Sequence, residues 1–276
     1  MRSDFVQTGN GIRLQYFEHG GGPETVVLVH GYTASARIWR AMQERFDPAR
    51  FHVFAFNNRG AGDSDRSDDE ADYTVEAFAR DLLGAVTALG LNGFHLAGHS
   101  MGGGTVARFA LDHQALLKSL VLLDPAPLAS RPALASGWED EVRARYQSGE
   151  ATRSASGAAP PPTRHETLPD NYRSELAEDV SHTPLARLIG GRRSMASLDL
   201  RPRLAELRLP VLVIGGDLDT TVGVPHILAE YLALPEGNRF LHVYHRTGHS
   251  PNIDLPGEMA TLLTEFFTVT VPGLAR

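Results

Sequence analysis

The chain of 276 residues has no cysteine. That excludes a disulfide framework, a thiol nucleophile and thiolate metal sites. No apolar run approaches the ~18 residues that a membrane span needs. No run of Lys and Arg builds a basic stripe either: 26 basic residues stand against 33 acidic ones, a formal charge of −7, so neither nucleic acid nor a membrane is the expected partner. The opening stretch MRSDFVQTGNG lacks the apolar segment of a signal peptide, which makes the cytoplasm the expected location. Internal repeats are not evident. With 42% hydrophobic and 21% charged residues, the composition is that of a folded chain whose default partner is a small molecule.

What is plentiful is glycine around one serine. The stretch LAGHSMGGGT, residues 96–105, sets Ser100 among four glycines, although glycine weakens strands and helices alike. Its surroundings give that composition a purpose. Short apolar runs at 25–31, 51–60, 93–100, 117–125, 209–217 and 239–248 end in polar or glycine residues and read as strands buried on both faces. Helical spacing over 75–89, 101–111, 224–232 and 257–267 falls between them. Two further strands around TGNG form an opening hairpin. Strand alternating with helix predicts an α/β fold with a mostly parallel, doubly wound sheet. Ligands in such sheets bind beyond the carboxyl ends of the strands.

From 125 to 203 the alternation stops. Helix-like pieces at 138–147, 171–179 and 185–195, joined by SASGAAPPP, predict a helical lid inserted into a core formed by 1–124 and 204–276.

Strand, then G-H-S-M-G, then helix is the context of a sharp turn that lifts a serine hydroxyl above the sheet, with Gly98 and Gly102 allowing strand and helix to approach. The alternative is a serine that caps the helix in a glycine-rich turn. A nucleotide-binding reading is weaker, since no G-x-G-x-x-G follows a predicted strand. A serine needs a base. Of the twelve histidines, His249 lies in the loop after the last strand, where it can reach over the sheet edge. His52, His95 and His242 fall in strands, His99 flanks the turn, and His19 and His113 read as surface positions. A metal cluster of His242, His245 and His249 is disfavoured, because strand residues three apart face opposite sides and no H-E-x-x-H accompanies them. The base in turn needs an acid to fix its tautomer. Asp219 lies further into its loop than Asp217, which is better suited to binding backbone amides, and Asp124, after another strand, is also available.

VHGYTAS, NNRGAGDSD, GHSMGG, GGDLDTTV and GHSPN, in that order and spacing, resemble the α/β-hydrolase superfamily over nearly the whole chain. The resemblance implies that Ser100 is the nucleophile, Asp219 the acid and His249 the base, with the backbone N–H groups of Tyr32 and Met101 as the oxyanion hole. It implies no cofactor and no metal. The placement of His30-Gly31-Tyr32 at a strand end beside the turn is consistent with that oxyanion hole. Asn57 departs from the D-x-R-G often seen at this loop. Arg59 is expected to bond loop carbonyls, and Trp39 to pack in the core. The ring of Tyr32 either contacts substrate or serves packing alone.

A serine nucleophile fits acyl transfer to water, and cleavage of a small carboxylic ester or lactone is the expected activity. A serine where similar folds carry aspartate argues against dehalogenase or epoxide-hydrolase chemistry. Hydrolysis of a carbon–carbon bond in a vinylogous diketone is the alternative, although His99 and HGYTAS depart from the G-N-S-M-G-G and H-G-x-G-P-G of such enzymes. A hydrolase-like receptor with little turnover is a third reading. Trp138, Tyr146, Tyr172, Leu185, Leu188, Ile189 and Met195 are candidates for the pocket wall, beside lid arginines able to hold a carboxylate.

Overall fold

The computed structural model describes residues 1–149 and 163–274; the linker SASGAAPPP lies outside them. Eight strands form one sheet: β1 (Arg2–Gln7), β2 (Arg13–Gly20), β3 (Glu24–Val29), β4 (Phe51–Phe56), β5 (Phe94–His99), β6 (Leu117–Leu123), β7 (Val211–Gly216) and β8 (Arg239–Tyr244). Their spatial order is β1-β2-β4-β3-β5-β6-β7-β8. The opening hairpin and the β2–β4 pair are antiparallel, and all pairs from β4–β3 to β8 are parallel. The mostly parallel sheet therefore agrees with the sequence pattern. Apolar clusters cover both faces. Phe78, Val106, Phe109 and Leu122 belong to one, and Trp39, Phe51, Val121 and Phe267 to the other.

The alternation of strand and helix arises from sequence in a simple way. Helices α1 (Val75–Ala88) and α2 (Met101–His113) pack side by side on one face. Thr74 caps α1 by accepting the Ala77 N–H. β3 to β7 are buried along their lengths because both faces are covered, whereas β8, the edge strand, is only half buried. The expectation that every run is doubly buried fails there, since an edge has a neighbour on one side only. Most runs also lose their last residues to the loops, and those loops carry the polar groups at the sheet's carboxyl edge.

Among the described residues between β6 and β7 there is no strand. Helices α3 (Trp138–Gln147), α4 (Tyr172–Ser181) and α5 (Leu185–Ser197) lie there, close to their expected positions. The remaining long helices are α6 (Val224–Ala233) and α7 (Pro256–Glu265). No described helix is long and apolar enough to cross a membrane.

Backbone packs closely where β5 turns into α2. A Cβ on Gly102 would lie 2.5 Å from the carbonyl oxygens of Val29 and His30, and one on Gly98 would lie 2.3 Å from the Gly102 carbonyl oxygen. These neighbours are backbone and cannot yield as a side-chain tip would. Gly102→Val should therefore lose about 3 kcal/mol or more of stability, read as a large drop in Tm with broadened or absent cooperative unfolding. An unchanged Tm would contradict this contact.

Candidate active site

Ser100 joins β5 to α2 at φ 55° and ψ −120°, a conformation that non-glycine residues avoid. The backbone around it holds the turn: Ser100 N–H donates to the Leu123 carbonyl, and the Ser100 carbonyl accepts from the Gly103 and Ala126 amides. The side chain makes no capping hydrogen bond to α2. A helix-capping role is thereby removed, and the hydroxyl faces a cavity of about 380 Å³ at the sheet's carboxyl edge. Gly31 borders that cavity so closely to Ser100 that a Cβ on it would lie 3.1 Å from the serine Cβ. Outside the regular helices and strands, no described residue accepts a hydrogen bond from the amide of Tyr32 or Met101.

His249 and Ser100 line the same cavity without a direct hydrogen bond between them, a looseness common in unliganded sites. The other ring nitrogen is fixed. His249 Nδ1 donates to Asp219 Oδ2 at 2.8 Å, while Asp219 Oδ1 accepts from the Thr221 and Val222 amides at 2.7 and 3.2 Å. Burial pushes the Asp219 carboxyl up, but the bonds from His249 and the two amides outweigh it and bring its pKa down to about 2. Nε2 of His249 is thus the nitrogen free to act as a base.

Asp217 faces a different partner. It binds His245 Nδ1 at 2.7 Å and the Thr247 amide at 3.2 Å. Its amide contact agrees with the sequence reading, and its pairing with His245 draws that histidine away from His249. His242 lies in β8 against Tyr244, so the three late histidines do not converge. Asp124 does approach the site. One ligand atom each from Asp124, Asp219 and His249 lie within 4.8 Å of one another. Among the described residues Asp124 Oδ1 accepts the Gly216 amide, and its buried Oδ2 has no partner. Two carboxylates so close and so buried cannot both ionise cheaply. Burial, reinforced by the Asp219 charge, pushes Asp124 well above the ordinary range, so the proton settles on the carboxyl with fewer donors.

Three contributions were not evident from sequence. His99, fully buried, contacts the backbone carbonyl of His249 through Nε2 at 2.8 Å, while burial and the neighbouring His249 lower its pKa to about 3. It stays neutral, so Nε2–H is the donor and the loop bearing His249 is pinned. His30 is likewise buried and neutral, held well below the usual range by burial and by Arg187; its Nε2 accepts the Asn58 amide and its Nδ1 bonds the Gly31 carbonyl. Arg187, from α5, is buried and donates to the carbonyls of Gly31, Ala34 and Gly60. The burial lowers its pKa to about 10, well short of losing the charge at neutral pH.

The role expected of Arg59 therefore belongs to Arg187. Arg59 instead forms a two-point ion pair with Asp81 at 2.6 Å per contact. Asn57, in place of aspartate, accepts the Ala36 amide and donates to Gln15 Oε1; the second bond requires an amide. Tyr32 both lines the cavity and donates its hydroxyl to the Leu188 carbonyl. Of the expected wall residues only Met195 lines the cavity, joined by Leu176 and Val180 from α4. Tyr172, Leu188 and Ile189 are consumed in packing, Trp138 lies under Arg192, and Tyr146 is exposed.

A family model of the alpha/beta hydrolase fold matches residues 24–256. A 2-hydroxy-6-oxononadienedioate/2-hydroxy-6-oxononatrienedioate hydrolase from Dechloromonas aromatica is 25% identical over 303 aligned residues, covering 96% of this chain and 95% of the relative. N-formylmaleamate deformylase from Pseudomonas putida is 39% identical over 127 residues, covering 45% of this chain and 47% of the relative. A thermophilic esterase from Thermogutta terrifontis superposes with a TM-score of 0.78 at 24% identity, over 98% of this chain and 99% of that one.

The buried imidazoles predict how stability responds to acid. Burial lowers His95 to about 4 and His99 to about 3, and depresses His30 as well. Below the unfolded histidine pKa of ~6.5 the unfolded chain binds three protons that the native one refuses, while native Asp124 holds one that the unfolded chain releases. The net difference of about two protons should cost up to about 3 kcal/mol per pH unit between roughly pH 6 and 4.5. Urea midpoints measured at pH 8, 6.5 and 5 should fall steeply over the last step; equal midpoints would contradict the neutral assignment.

Proposed function

The chain belongs to the alpha/beta hydrolase family, and from that premise we propose that it is a serine hydrolase cleaving a small carboxylic ester or lactone through an acyl-enzyme. The observation that carries the proposal is the Asp219–His249 hydrogen bond of 2.8 Å beside a strained Ser100 on one cavity. In this reading His249 Nε2 takes the Ser100 proton as Oγ attacks the substrate carbonyl carbon. The oxyanion is received by the Tyr32 and Met101 amides, each worth roughly 3 kcal/mol in the transition state. Collapse expels the alcohol, which takes the proton from His249. Water, deprotonated by the same nitrogen, then attacks the acyl-enzyme and restores Ser100. Asp219 stays ionised throughout and stabilises the imidazolium. The helices between β6 and β7 act as a lid that narrows access to the cavity.

The relatives favour one alternative. The hydrolase from Dechloromonas aromatica is named for a carbon–carbon cleavage substrate, and the same serine, base and oxyanion hole could serve that reaction. Turnover of a vinylogous diketone with none on activated esters would select it.

Ser100→Ala should retain the fold, since the turn is built by glycines and backbone bonds, and lose nearly all turnover of a p-nitrophenyl ester. Asp219→Asn should also fold and lose on the order of 10⁴ in kcat, the size of the loss in the serine-protease case that defines this arrangement, whereas Asp124→Asn, which replaces a neutral acid by a neutral amide, should lose less than about tenfold. Steady-state kinetics at matched circular dichroism decides. A large loss in Asp124→Asn with a near-normal Asp219→Asn would move the acid to the end of β6.

A further inference from the structure

The cavity over Ser100 is uneven in charge. Its walls include Ile38, Leu176, Val180, Met195 and Ile253, and among its described lining residues there is no carboxylate and one permanent cation, Arg131. Arg131 lies on the loop between β6 and α3. It makes no ion pair, carbonyl hydrogen bond or ring contact with any described residue, unlike its neighbours in the same insertion. Arg143 pairs with Glu70, Arg173 with Asp254, Arg193 with Glu70 and Glu139, Arg192 covers Trp138, and Arg187 is spent on carbonyls. Among the described residues of a chain with excess negative charge, the guanidinium of Arg131 is thus unpaired, on a residue that lines the apolar pocket. Arg131 is exposed to solvent while also lining the cavity, so its guanidinium is open to a ligand that enters the pocket. A planar carboxylate on a ligand would provide two parallel charge-assisted hydrogen bonds, the geometry that a guanidinium fork matches and an ammonium does not.

We propose that the substrate carries a free carboxylate, bound by Arg131, in addition to the acyl group attacked by Ser100. The inference rests on the serine-hydrolase reading and narrows it to half-esters, lactone acids and related acyl compounds with an anionic end. The apolar wall between the two polar points suits a short hydrocarbon spacer. A neutral ester leaves Arg131 without a partner in the bound state, and a cationic one is repelled.

The test uses matched pairs of esters. The p-nitrophenyl monoester of adipic acid is compared with p-nitrophenyl hexanoate, of equal acyl length, to place the charge on the acyl side. Para-carboxyphenyl hexanoate is compared with phenyl hexanoate to place it on the alcohol side. In one of the two pairs the wild-type kcat/KM should favour the anionic member by tenfold or more, mainly through KM, and the preference should shrink with added salt. Arg131→Gln should bring that ratio near unity, and Arg131→Lys should restore part of it. A wild-type ratio near unity in both pairs, or a preference that survives Arg131→Gln, would overturn the proposal. Calorimetric binding of adipate monomethyl ester to the Ser100→Ala protein, with and without Arg131→Gln, reads the anion site without turnover. Binding that depends on Arg131 while no ester is hydrolysed would sink the hydrolase reading and keep the anion site. Hydrolysis of neutral and anionic esters alike, with no such binding, would do the reverse.

Discussion

The contact on which the site depends is the meeting of α2's first turn with the backbone leaving β3, where Gly102 sits against the Val29 and His30 carbonyls at a distance no Cβ could occupy. That approach forces the chain to turn within one residue, and the residue is Ser100, held at a positive φ by hydrogen bonds to β6 and to Ala126. The cost of the conformation, of order 1–3 kcal/mol, is borne by the surrounding sheet. Three consequences follow from the one contact. The hydroxyl makes no cap to the helix, Met101 begins that helix next to it, and the His30–Tyr32 loop is brought beside both. Arg187 then ties that loop, through the Gly31 and Ala34 carbonyls, to the loop after β4, through the Gly60 carbonyl, so that an arginine of the helical insertion helps to set the geometry of the core loops.

The second organising factor is the allocation of protons in a nearly dry space. Asp219, with two amides and an imidazole donating to it, keeps its charge, while Asp124, with one amide, keeps a proton. Deeper burial at Asp124 and the greater number of donors at Asp219 together separate the two carboxyls. His99 contributes by remaining neutral. In the proposed mechanism a charge there would repel the imidazolium formed at His249, and the hydrogen bond from neutral His99 to the His249 carbonyl fixes the loop instead. Electrostatics and loop placement are in this respect the same device.

The sheet and its flanking helices were legible because their signals are local: apolar runs of strand length, helical spacing, and glycines placed where strands end. The turn at Ser100 was legible for the same reason, since a tight turn writes itself into consecutive residues. The choice among Asp219, Asp217 and Asp124 was not, because three carboxylates end two neighbouring strands and only the partners of each, His249, His245 and an amide, tell them apart. The helical insertion showed the opposite limit. Its helices were visible from spacing, but which of their residues face the cavity depends on how they dock, so Leu176 and Val180 line it where Tyr172 and Leu188 do not. Arg187 was invisible as a clamp. Its partners are carbonyls, which leave no mark on composition, and a buried arginine looks like any other in a chain of amphipathic helices.

The most direct measurement of the central claim is covalent labelling with an alkyl fluorophosphonate, followed by digestion and peptide mass spectrometry. Such a reagent phosphonylates a serine only where a base activates the hydroxyl and an oxyanion hole receives the phosphonyl oxygen. The expected result is one equivalent of adduct, confined to Ser100, with a labelling rate that collapses in His249→Ala. Labelling spread over several serines, or a Ser100 rate unaffected by loss of His249, would contradict it.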